Sequence, residues 1–503
     1  MSLKDLINGS DIRGISITTK DEEANLTPLE AKKIGVGVLH WLKEKKNVDL
    51  SAATIAVGQD SRLSGAGLKE SLIETFVAHG VDVIDTGLST TPAMFMATQF
   101  DSFDSDASIM ITASHLPYYF NGLKFFTKDG GAEHEDITFI LDYGTQAFPQ
   151  SSKTGTVIKK DLITEYAQDL VTKIRQGIGD GEEFPLKDFH IIVDAGNGAG
   201  GFFAEKVLGA LGAKTEGSQF LTPDGTFPNH MPNPDNKEAM ASIQQAVLAN
   251  GADLGVIFDT DVDRAAVVTK DGSALNRNNL IAALAQIVLR EHPGTSIVTN
   301  SPTSSHLKDF IELLGGKQVR YLSGYRNVIN KAIELNKQGI QTELAIETSG
   351  HAAFKENYFL DDGAYVVAKI LMLLPKLSEE GRSLNDLIAD LKQPAETQEV
   401  RFRINDENYR QKGMEVIDVM ADFIEKIPDW SIDPENEEGI RANLRGEDGS
   451  GWFLLRMSLH EPLLVLQVEN DVAGKNIGVF EKLKEFFEVF PELDLDALLD
   501  VLK

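Results

Sequence analysis

Three segments of this 503-residue chain repeat one pattern, and that repetition limits the folds open to it. Each segment runs from a short apolar stretch through a polar or glycine-rich loop into an amphipathic helix, and then into a second apolar stretch. The segments begin at Thr54, His190 and Ser296. This order is typical of a βαβ unit, in which a helix joins two parallel strands. Because the repeats lie a domain length apart, the sequence predicts three similar α/β domains with mixed sheets.

The pattern changes after about Gln393. Strand-like and helical stretches then alternate without the βαβ order, at residues 397–406, 413–427, 451–458, 462–471 and from 475 onward. Such a mixture is typical of an α+β domain with antiparallel strands. The sequence therefore predicts four domains, at residues 1–158, 159–274, 275–388 and 389–503.

Charge and cysteine content exclude several classes of function. Asp and Glu number 77 against 48 Lys and Arg, which gives a net charge of −29. This charge repels phosphate backbones and anionic lipid, so we expect neither a nucleic-acid nor a membrane partner. The chain has no cysteine, which excludes disulfides, thiolate metal sites and cysteine nucleophiles. With no stretch resembling a signal peptide or a membrane span, the sequence predicts a cytoplasmic protein.

Ser114 and His115 form the first candidate site. They follow an apolar run and precede Pro117, which ends regular hydrogen bonding, and Asn121-Gly122, which predicts a turn before the next strand. A hydroxyl held on such a loop can act as a nucleophile or carry a phosphoryl group, and Lys124 nearby can polarise an oxyanion. The alternative is an ordinary polar hairpin loop.

Three carboxylates, those of Asp259, Asp261 and Asp263, follow the apolar run 254–258. In an extended backbone such alternate positions share one face, so the carboxylates would converge. Clustered carboxylates repel one another unless a cation lies among them, and oxygen ligands favour Mg²⁺, Mn²⁺ or Ca²⁺. An EF-hand is excluded because its sixth position requires Gly and holds Arg264. The alternative is a solvated acidic turn, which a position directly after a buried strand disfavours.

Two further groups of polar residues follow predicted strands. Glu347, Ser349 and His351 surround a glycine and can bind the hydroxyl groups of a sugar-like ligand. Arg456, Ser458 and His460 lie between two strands and can bind a phosphate in an otherwise acidic protein. A capped helix start and an ordinary turn are the respective alternatives.

Taken in order, these motifs resemble those of the α-D-phosphohexomutase superfamily. Its phosphoserine, metal, sugar and phosphate loops correspond to residues 112–124, 259–264, 347–351 and 456–460. Supporting matches lie at residues 11–14, 87–92, 194–201 and 232–234. The stretch 354–363 is similar to the phosphomannomutase/phosphoglucomutase branch, and the runs LAIETSGH and GYRNVI resemble plant-like members.

The resemblance implies four domains around a central cleft and the interconversion of hexose 1-phosphate and hexose 6-phosphate, with mannose or glucose as the sugar. Ser114 would carry the phosphoryl group, with hexose 1,6-bisphosphate as intermediate and activator. One Mg²⁺ per chain would be held by Ser114 and the three aspartates. The transferring group would be surrounded by Arg13, His115, Lys124 and Arg264. A cytoplasmic monomer or homodimer acting on small sugar phosphates is expected.

The same resemblance assigns ligand contacts in the second half of the chain. Glu347, Ser349 and His351 would bind the sugar, while Arg456, Ser458 and His460 would bind the non-reacting phosphate. The chain departs from the family pattern at Leu116, Thr260, Ala345-Ile346 and Leu459-His460. At the last of these, an imidazole replaces the usual threonine hydroxyl.

Three other functions stay open at this point. A phosphoglucosamine mutase differs only in the sugar. A haloacid-dehalogenase-type phosphatase is suggested because Asp259-Thr-Asp261-Val approaches that class's nucleophile motif, although Asp263 stands at its fifth position. A binding protein that has lost turnover is suggested by the substituted phosphate loop.

Overall fold

The computed structural model describes residues 2–458 and 461–503. By its internal packing the chain groups into two compact units. Unit 1 comprises the chain up to Leu280 together with Ser349–Asp386, and unit 2 comprises Ile281–Thr348 together with Leu387–Lys503. The four domains expected from the sequence stay a prediction.

A mixed sheet with a fully buried central strand, β5, forms the first part of unit 1. Its strands are β1 (Ile7–Asn8), β2 (Asp11–Ile15), β3 (Thr54–Gln59), β4 (Asp82–Leu88), β5 (Ala107–Ile111), β6 (Phe120–Thr127), β7 (Gly130–Gly131) and β8 (Val157–Lys159). Their order is β1-β2-β6-β5-β3-β4-β8, with β7 beside β6. β3 pairs in parallel with β4 and β5, whereas β6 is antiparallel to β5 and β2. The parallel pair β3 and β4, joined by a helix, confirms the first predicted βαβ unit.

The helices around this sheet begin at recognisable sequence signals. They are α1 (Pro28–Glu44), α2 (Gly65–Ala78), α3 (Thr91–Met96) and α4 (His134–Tyr143). Before α1, the Thr27 hydroxyl accepts the N–H of Leu29 at 3.2 Å, and the Glu30 carboxylate accepts the N–H of Thr27 at 3.3 Å. This reciprocal cap satisfies backbone donors that a helix start leaves free, so it sets where α1 begins.

The next sheet of unit 1 leads into the acidic loop. Its segment contains α5 (Leu162–Ile178), β9 (Ile191–Asp194), α6 (Lys237–Asn250), β10 (Leu254–Phe258), β11 (Ala265–Thr269) and β12 (Ala274–Leu275). The next helix, α7 (Arg277–Glu291), begins in unit 1 and continues into unit 2 at Ile281. The strand order is β12-β11-β10-β9, with β10 parallel to β9 and antiparallel to β11. All five residues of β10 are buried, which explains its continuous apolar sequence.

The second repeat differs from the predicted βαβ unit. After β9 the chain forms a short π-helical segment, Phe203–Leu208, and the expected second strand is reduced to two parallel bridges, His190 with Lys214 and Asp194 with Gln219. The reason is local: Ser218 donates both its N–H and its hydroxyl to the carbonyl of Thr215. These turn bonds replace the ladder bonds of a regular strand.

The third repeat confirms its predicted βαβ unit. The elements that follow are β13 (Ser296–Asn300), α8 (Ser305–Leu313), β14 (Lys317–Tyr321), α9 (Tyr325–Lys337), β15 (Thr342–Ile346), β16 (Ala352–Phe354), β17 (Leu360–Asp361) and α10 (Gly363–Glu379). In unit 2, β13 pairs in parallel with β14 and with β15. In unit 1, β16 and β17 form an antiparallel pair and α10 packs against α5.

The C-terminal segment of unit 2 confirms the expected α+β character. It contains β18 (Glu396–Arg403), α11 (Tyr409–Ile424), β19 (Trp430–Ile432), β20 (Ile440–Leu444), β21 (Gly451–Met457), β22 (Leu463–Asn470), α12 (Lys475–Phe487) and α13 (Asp496–Val501). Its antiparallel sheet has the order β18-β22-β21-β20-β19. The sequence analysis did not predict β19 and β20, because both are short and their apolar residues are interrupted by polar ones.

The turn predicted at Asn121-Gly122 is wrong, because both residues lie inside β6. A Cβ at Gly122 would lie 2.4 Å from the carbonyl oxygen of Ile12, so only glycine allows the two strands to approach so closely there.

Among residues 2–458 and 461–503, no helix combines the length and apolar composition needed to cross a bilayer.

Candidate active site

Ser114 lies on the loop between β5 and β6, at the carboxyl end of β5. It is buried, and its φ of +51° puts it in the left-handed region that residues other than glycine rarely adopt. Its N–H donates to the hydroxyl of Thr112 at 2.9 Å. The apolar run therefore delivers Ser114 to a loop, as predicted, and the backbone there has a specific and uncommon conformation.

The acidic loop brings its three carboxylates together by a tight turn. Oxygen atoms of Asp259, Asp261 and Asp263 lie within 4.8 Å of one another, and all three side chains are buried. The sequence argument predicted this convergence from an extended backbone, which is wrong. Val262 has a φ of +66°, and the N–H of Asp259 donates to the carbonyl of Arg264 at 3.3 Å, so the chain folds back on itself.

The Ser114 hydroxyl meets this acidic loop directly. Its Oγ donates to Oδ2 of Asp259 at 2.9 Å and accepts Nη2 of Arg264 at 2.9 Å. Nδ1 of His115 lies 3.4 Å from the same oxygen. Two loops that are about 145 residues apart in sequence thus form one hydroxyl-centred cluster.

Two more cations border the cluster. Nζ of Lys124 donates to Oδ2 of Asp263 at 2.5 Å and lies 3.6 Å from Oδ2 of Asp261. Nη1 of Arg13 donates to the carbonyl of Ala113 at 3.4 Å, next to Ser114. The positive charge that an anionic substrate needs is therefore local, within an otherwise acidic protein.

The titration of the cluster follows from burial and charge. Burial and the neighbouring carboxylates of Asp263 and Asp261 raise the pKa of Asp259 well above its usual range. Burial alone would also raise the pKa of Asp263, but the charges of Lys124, His351 and Arg264 outweigh it and hold that pKa well below its usual range. Additional positive charge beside Asp259 would therefore favour its ionised form.

The surroundings of His115 favour its neutral form. Burial, followed by the positive charges of Arg264 and Arg13, lowers the pKa of the imidazole well below its usual range. A neutral imidazole can accept or donate a hydrogen bond at Ser114 without adding charge.

The residues present fit a divalent cation. Within the part of the chain that the structure describes, Oδ1 of Asp261 is buried and has no hydrogen-bond donor. Oδ2 of the same carboxylate accepts the hydroxyl of Thr91, whose N–H also donates to the Asp261 carbonyl at 2.9 Å. One carboxylate oxygen is thus held by protein and the other remains for a ligand. Three aspartates and a serine hydroxyl are hard oxygen donors, which magnesium-type cations prefer.

Of the predicted sugar loop, Ser349 and His351 lie in unit 1 beside the acidic loop. Nδ1 of His351 is 3.0 Å from the Ser349 hydroxyl, and its Nε2 is 3.4 Å from Oδ1 of Asp263. An antiparallel bridge joins His351 to Arg264. These two predicted residues are therefore brought together with the aspartates.

The other predicted ligand contacts lie in unit 2. Glu347 follows β15, and its carboxylate accepts the N–H of Gly324 at 2.7 Å. Arg456 is the penultimate residue of β21, and Ser458 follows that strand and donates its N–H to the carbonyl of Leu463 at 2.8 Å. The prediction for His460 lies outside the described residues.

Known proteins place this chain among relatives. Three family models match it in order: the phosphoglucomutase/phosphomannomutase alpha/beta/alpha domains I, II and III, over residues 4–144, 164–272 and 276–394. A phosphoglucomutase of Neisseria meningitidis serogroup A is 31% identical over 495 residues, which cover 97% of this chain and 98% of the relative. The chain belongs to the phosphoglucomutase/phosphomannomutase family.

Two further comparisons agree with this membership. A phosphomannomutase/phosphoglucomutase of Pseudomonas putida is 31% identical over 453 residues, covering 88% of this chain and 89% of the relative. The crystal structure of a phosphoglucomutase/phosphomannomutase family protein from Burkholderia thailandensis matches with a TM-score of 0.77 and 25% identity, over 97% of this chain and 98% of that one. The resemblance inferred from the motifs is confirmed.

The sequence analysis gave no role to three residues that contact the acidic loop or the Ser114 loop. Thr91 holds Asp261, while Asp60 and Arg62 bind the Ser114 loop. A signal for them was present, because β3 ends at Gln59 and β4 at Leu88, and both strands run parallel to β5. The carboxyl ends of parallel strands meet at one edge of a sheet, where ligands bind.

Proposed function

We propose that this chain is a phosphohexomutase that interconverts hexose 1-phosphate and hexose 6-phosphate, with mannose, glucose or both as the sugar. Its family membership makes it an isomerase of carbohydrate metabolism. One observation supports the chemistry above all others: the Ser114 hydroxyl lies between Asp259 and Arg264, beside the aspartate cluster.

In the proposed reaction, Ser114 carries a phosphoryl group in the resting enzyme. A free hydroxyl of the bound hexose phosphate forms a new O–P bond as the Oγ–P bond of Ser114 breaks, which gives hexose 1,6-bisphosphate. The bisphosphate turns around, and its other phosphoryl group returns to the Ser114 oxygen. The hydroxyl proton lost in the first transfer is restored in the second, with Lys124 as the proposed donor or acceptor.

The surrounding residues support this chemistry electrostatically. Arg264, His115 and Arg13 would surround the transferring group, which spreads negative charge over its oxygens. A single Mg²⁺ per chain, held by Ser114 and the three aspartates, would supply charge neutralisation between the phosphoserine and the anionic substrate. Hexose 1,6-bisphosphate would act as the activator, because it phosphorylates an empty Ser114.

The remaining predicted residues would bind the parts of the substrate that do not react. Glu347, Ser349 and His351 are proposed for the sugar hydroxyls. Arg456, Ser458 and His460 are proposed for the second phosphate. The proposal includes a cytoplasmic enzyme that works as a monomer or homodimer.

The relatives' names bear on the sugar. The Neisseria relative is named a phosphoglucomutase, and the Pseudomonas relative a phosphomannomutase/phosphoglucomutase. These names favour glucose and mannose over glucosamine. The phosphatase alternative loses support because Oδ2 of Asp259 is bound by Ser114 and Arg264.

The test incubates the purified protein with Mg²⁺ and a trace of glucose 1,6-bisphosphate. Glucose 1-phosphate, mannose 1-phosphate and glucosamine 1-phosphate are supplied separately, and 6-phosphate formation is followed by phosphorus NMR. We expect conversion, and a loss of roughly 10³-fold or more in Ser114→Ala. Ser152→Ala, at an exposed serine, is the matched control.

Three results would contradict parts of the proposal. Free inorganic phosphate that persists in Ser114→Ala would indicate chemistry at Asp259. Tight binding of sugar phosphates without isomerisation would indicate a binding protein. Conversion of glucosamine 1-phosphate alone would replace the proposed sugar.

A further inference from the structure

Arg62 is a buried cation to which the proposed reaction assigns no role. It follows β3, and only 1% of its surface is exposed. A guanidinium carries five N–H donors, and one that water cannot reach must place them on protein acceptors. The groups that Arg62 binds therefore indicate what it does.

Its guanidinium binds the loop that carries Ser114 at four backbone carbonyls. Nη1 donates to Pro117 at 2.7 Å and to Phe120 at 3.0 Å. Nη2 donates to Ser114 at 2.5 Å and to Leu116 at 2.6 Å. Carbonyl oxygens that converge on one point repel one another, and a planar fork of donors can bind four of them, whereas a compact ammonium with three donors cannot.

The backbone of Ser114 is thereby held on both sides. Its carbonyl is bound by Arg62, and its N–H donates to Thr112, whose hydroxyl in turn donates to Oδ2 of Asp60 at 2.7 Å. Oδ1 of Asp60 accepts the N–H of Arg62 at 2.9 Å. Asp60 therefore joins both supports, and the left-handed conformation of Ser114 persists because its surroundings determine it.

A loop from the second sheet's segment closes over this arginine. The Phe227 ring lies 5.2 Å from the guanidinium carbon of Arg62. At Gly225, a Cβ would lie 2.4 Å from the carbonyl oxygen of Ser61, so the loop approaches the Arg62 turn as closely as only glycine allows. Arg62 is thus enclosed by protein and cannot serve as a substrate ligand.

We infer that Arg62 is the positioning residue of the Ser114 loop, and that it keeps the serine oxygen aimed at Asp259 and Arg264. The inference rests on the function proposed for Ser114. Since Arg62 acts on the orientation of the reacting oxygen, its loss lowers the rate of phosphoryl transfer more than the binding of sugar phosphate.

The test compares Arg62→Lys with Arg175→Lys. Arg175 in α5 also donates to backbone carbonyls, those of Glu183 and Ala210, but away from the Ser114 loop. We expect kcat to fall by about 10- to 100-fold in Arg62→Lys, with KM changed less than about threefold. Arg175→Lys keeps the wild-type kcat, and thermal melting verifies that both variants are folded.

A second measurement is independent of activity, and its wild-type part does not require the variant to fold. Hydrogen exchange by mass spectrometry follows the peptide that covers Ala113–Asn121, with Leu254–Phe258 of β10 as the reference. We expect slow exchange of the loop in the wild type, and roughly tenfold faster exchange in Arg62→Lys with the β10 peptide unchanged.

The inference is overturned if folded Arg62→Lys keeps kcat within about twofold of the wild type, or if kcat and KM change together. It is also overturned if the wild-type loop exchanges as fast as an unstructured peptide, which decides the matter even when the variant does not fold. Wild-type turnover in Ser114→Ala would instead reject the proposed function, while the exchange of the loop would still test Arg62.

Discussion

Two arginines of this chain, Arg62 and Arg456, are held in opposite ways. In unit 1, Arg62 is enclosed by protein and binds four carbonyls of the Ser114 loop. In unit 2, Arg456 is half-buried, and its Nη1 donates to the carbonyl of the adjacent Met457 at 3.2 Å. Arg62 is thus fully buried and binds its own protein, whereas Arg456 is partly exposed.

The difference matches the tasks proposed for the two loops. A group that makes and breaks covalent bonds gains rate from being oriented before the substrate arrives. A side chain that binds a non-reacting phosphate must exchange water for ligand in every catalytic cycle, so part of its surface must be accessible to solvent. Substitutions near Ser114 should therefore act on kcat or on cation binding, and substitutions at Arg456 on KM.

Lys124→Met should give the largest effect. The change removes the ammonium bound to Asp263 and leaves the neighbouring carboxylates less compensated. We expect kcat to fall by about 10²- to 10⁴-fold in steady-state assays of 6-phosphate formation. The control is Lys128→Met, which removes an exposed lysine that forms a surface ion pair with Asp104 at 3.2 Å. A kcat within tenfold of the wild type would contradict the expectation that residues near Ser114 act on the chemical step.

Thr91→Val should weaken cation binding. Valine keeps the shape of threonine but removes the hydroxyl that holds Oδ2 of Asp261, so the carboxylate loses its fixed orientation. We expect Mn²⁺ to bind about 10- to 100-fold more weakly, measured by electron paramagnetic resonance on the protein without substrate. Thr91→Ser retains the hydroxyl and should bind Mn²⁺ nearly as well as the wild type. Equal affinities of the valine and serine variants would contradict this role.

Arg456→Ala should change substrate binding and spare the chemical step. The loss of one charge-assisted contact to phosphate predicts a KM raised by roughly tenfold, with kcat changed less than about threefold. Initial rates over a range of glucose 1-phosphate concentrations separate the two parameters. Arg410→Ala, on α11, is the matched control. A fall in kcat at unchanged KM would mean that both arginine loops serve the chemical step.

Asp60→Asn should give the smallest effect, visible as a pH dependence. Burial raises the pKa of Asp60 to about 6, although Arg62 and Thr112 oppose it. The stability that comes from the bound proton is complete below about pH 4 and is lost as the pH rises through about 6. Asparagine cannot ionise, so the wild type should lose about 1 kcal/mol relative to the variant between pH 5 and pH 7.

This pH effect is measured by thermal melting of both proteins at the two pH values. Relative to the variant, the wild type should melt about 1 °C lower at pH 7 than at pH 5. Parallel changes in the two proteins would show that Asp60 does not carry the proton.

The fold was predictable where local patterns and tertiary structure agree. The repeats from Thr54 and Ser296 form parallel strand pairs joined by helices, because their apolar periodicity matches the elements they become. The repeat from His190 lost its second strand, since the side chain of Ser218 bonds to the nearby backbone instead. At Asn121-Gly122 the dipeptide predicted a turn, but packing between strands required the small glycine inside β6.

The candidate site was predictable in composition and not in geometry. Polar residues directly after buried strands identified Ser114 and the three aspartates. Their convergence depends on a left-handed Val262, and no local pattern predicted that. Arg62 was visible only as a loop arginine, because its partners lie more than 50 residues further along the chain.

By itself, the sequence determined which side chains lie at the ends of which strands. Apolar runs form the buried strands, and the polar residues that follow them lie where those strands end. Only the tertiary structure decided that β3 lies beside β5, which puts Arg62 and Asp60 next to the loop of Ser114. It also decided that the acidic loop meets that serine. The physical reason is that contacts between distant segments depend on strand order and packing, which no short stretch of sequence encodes.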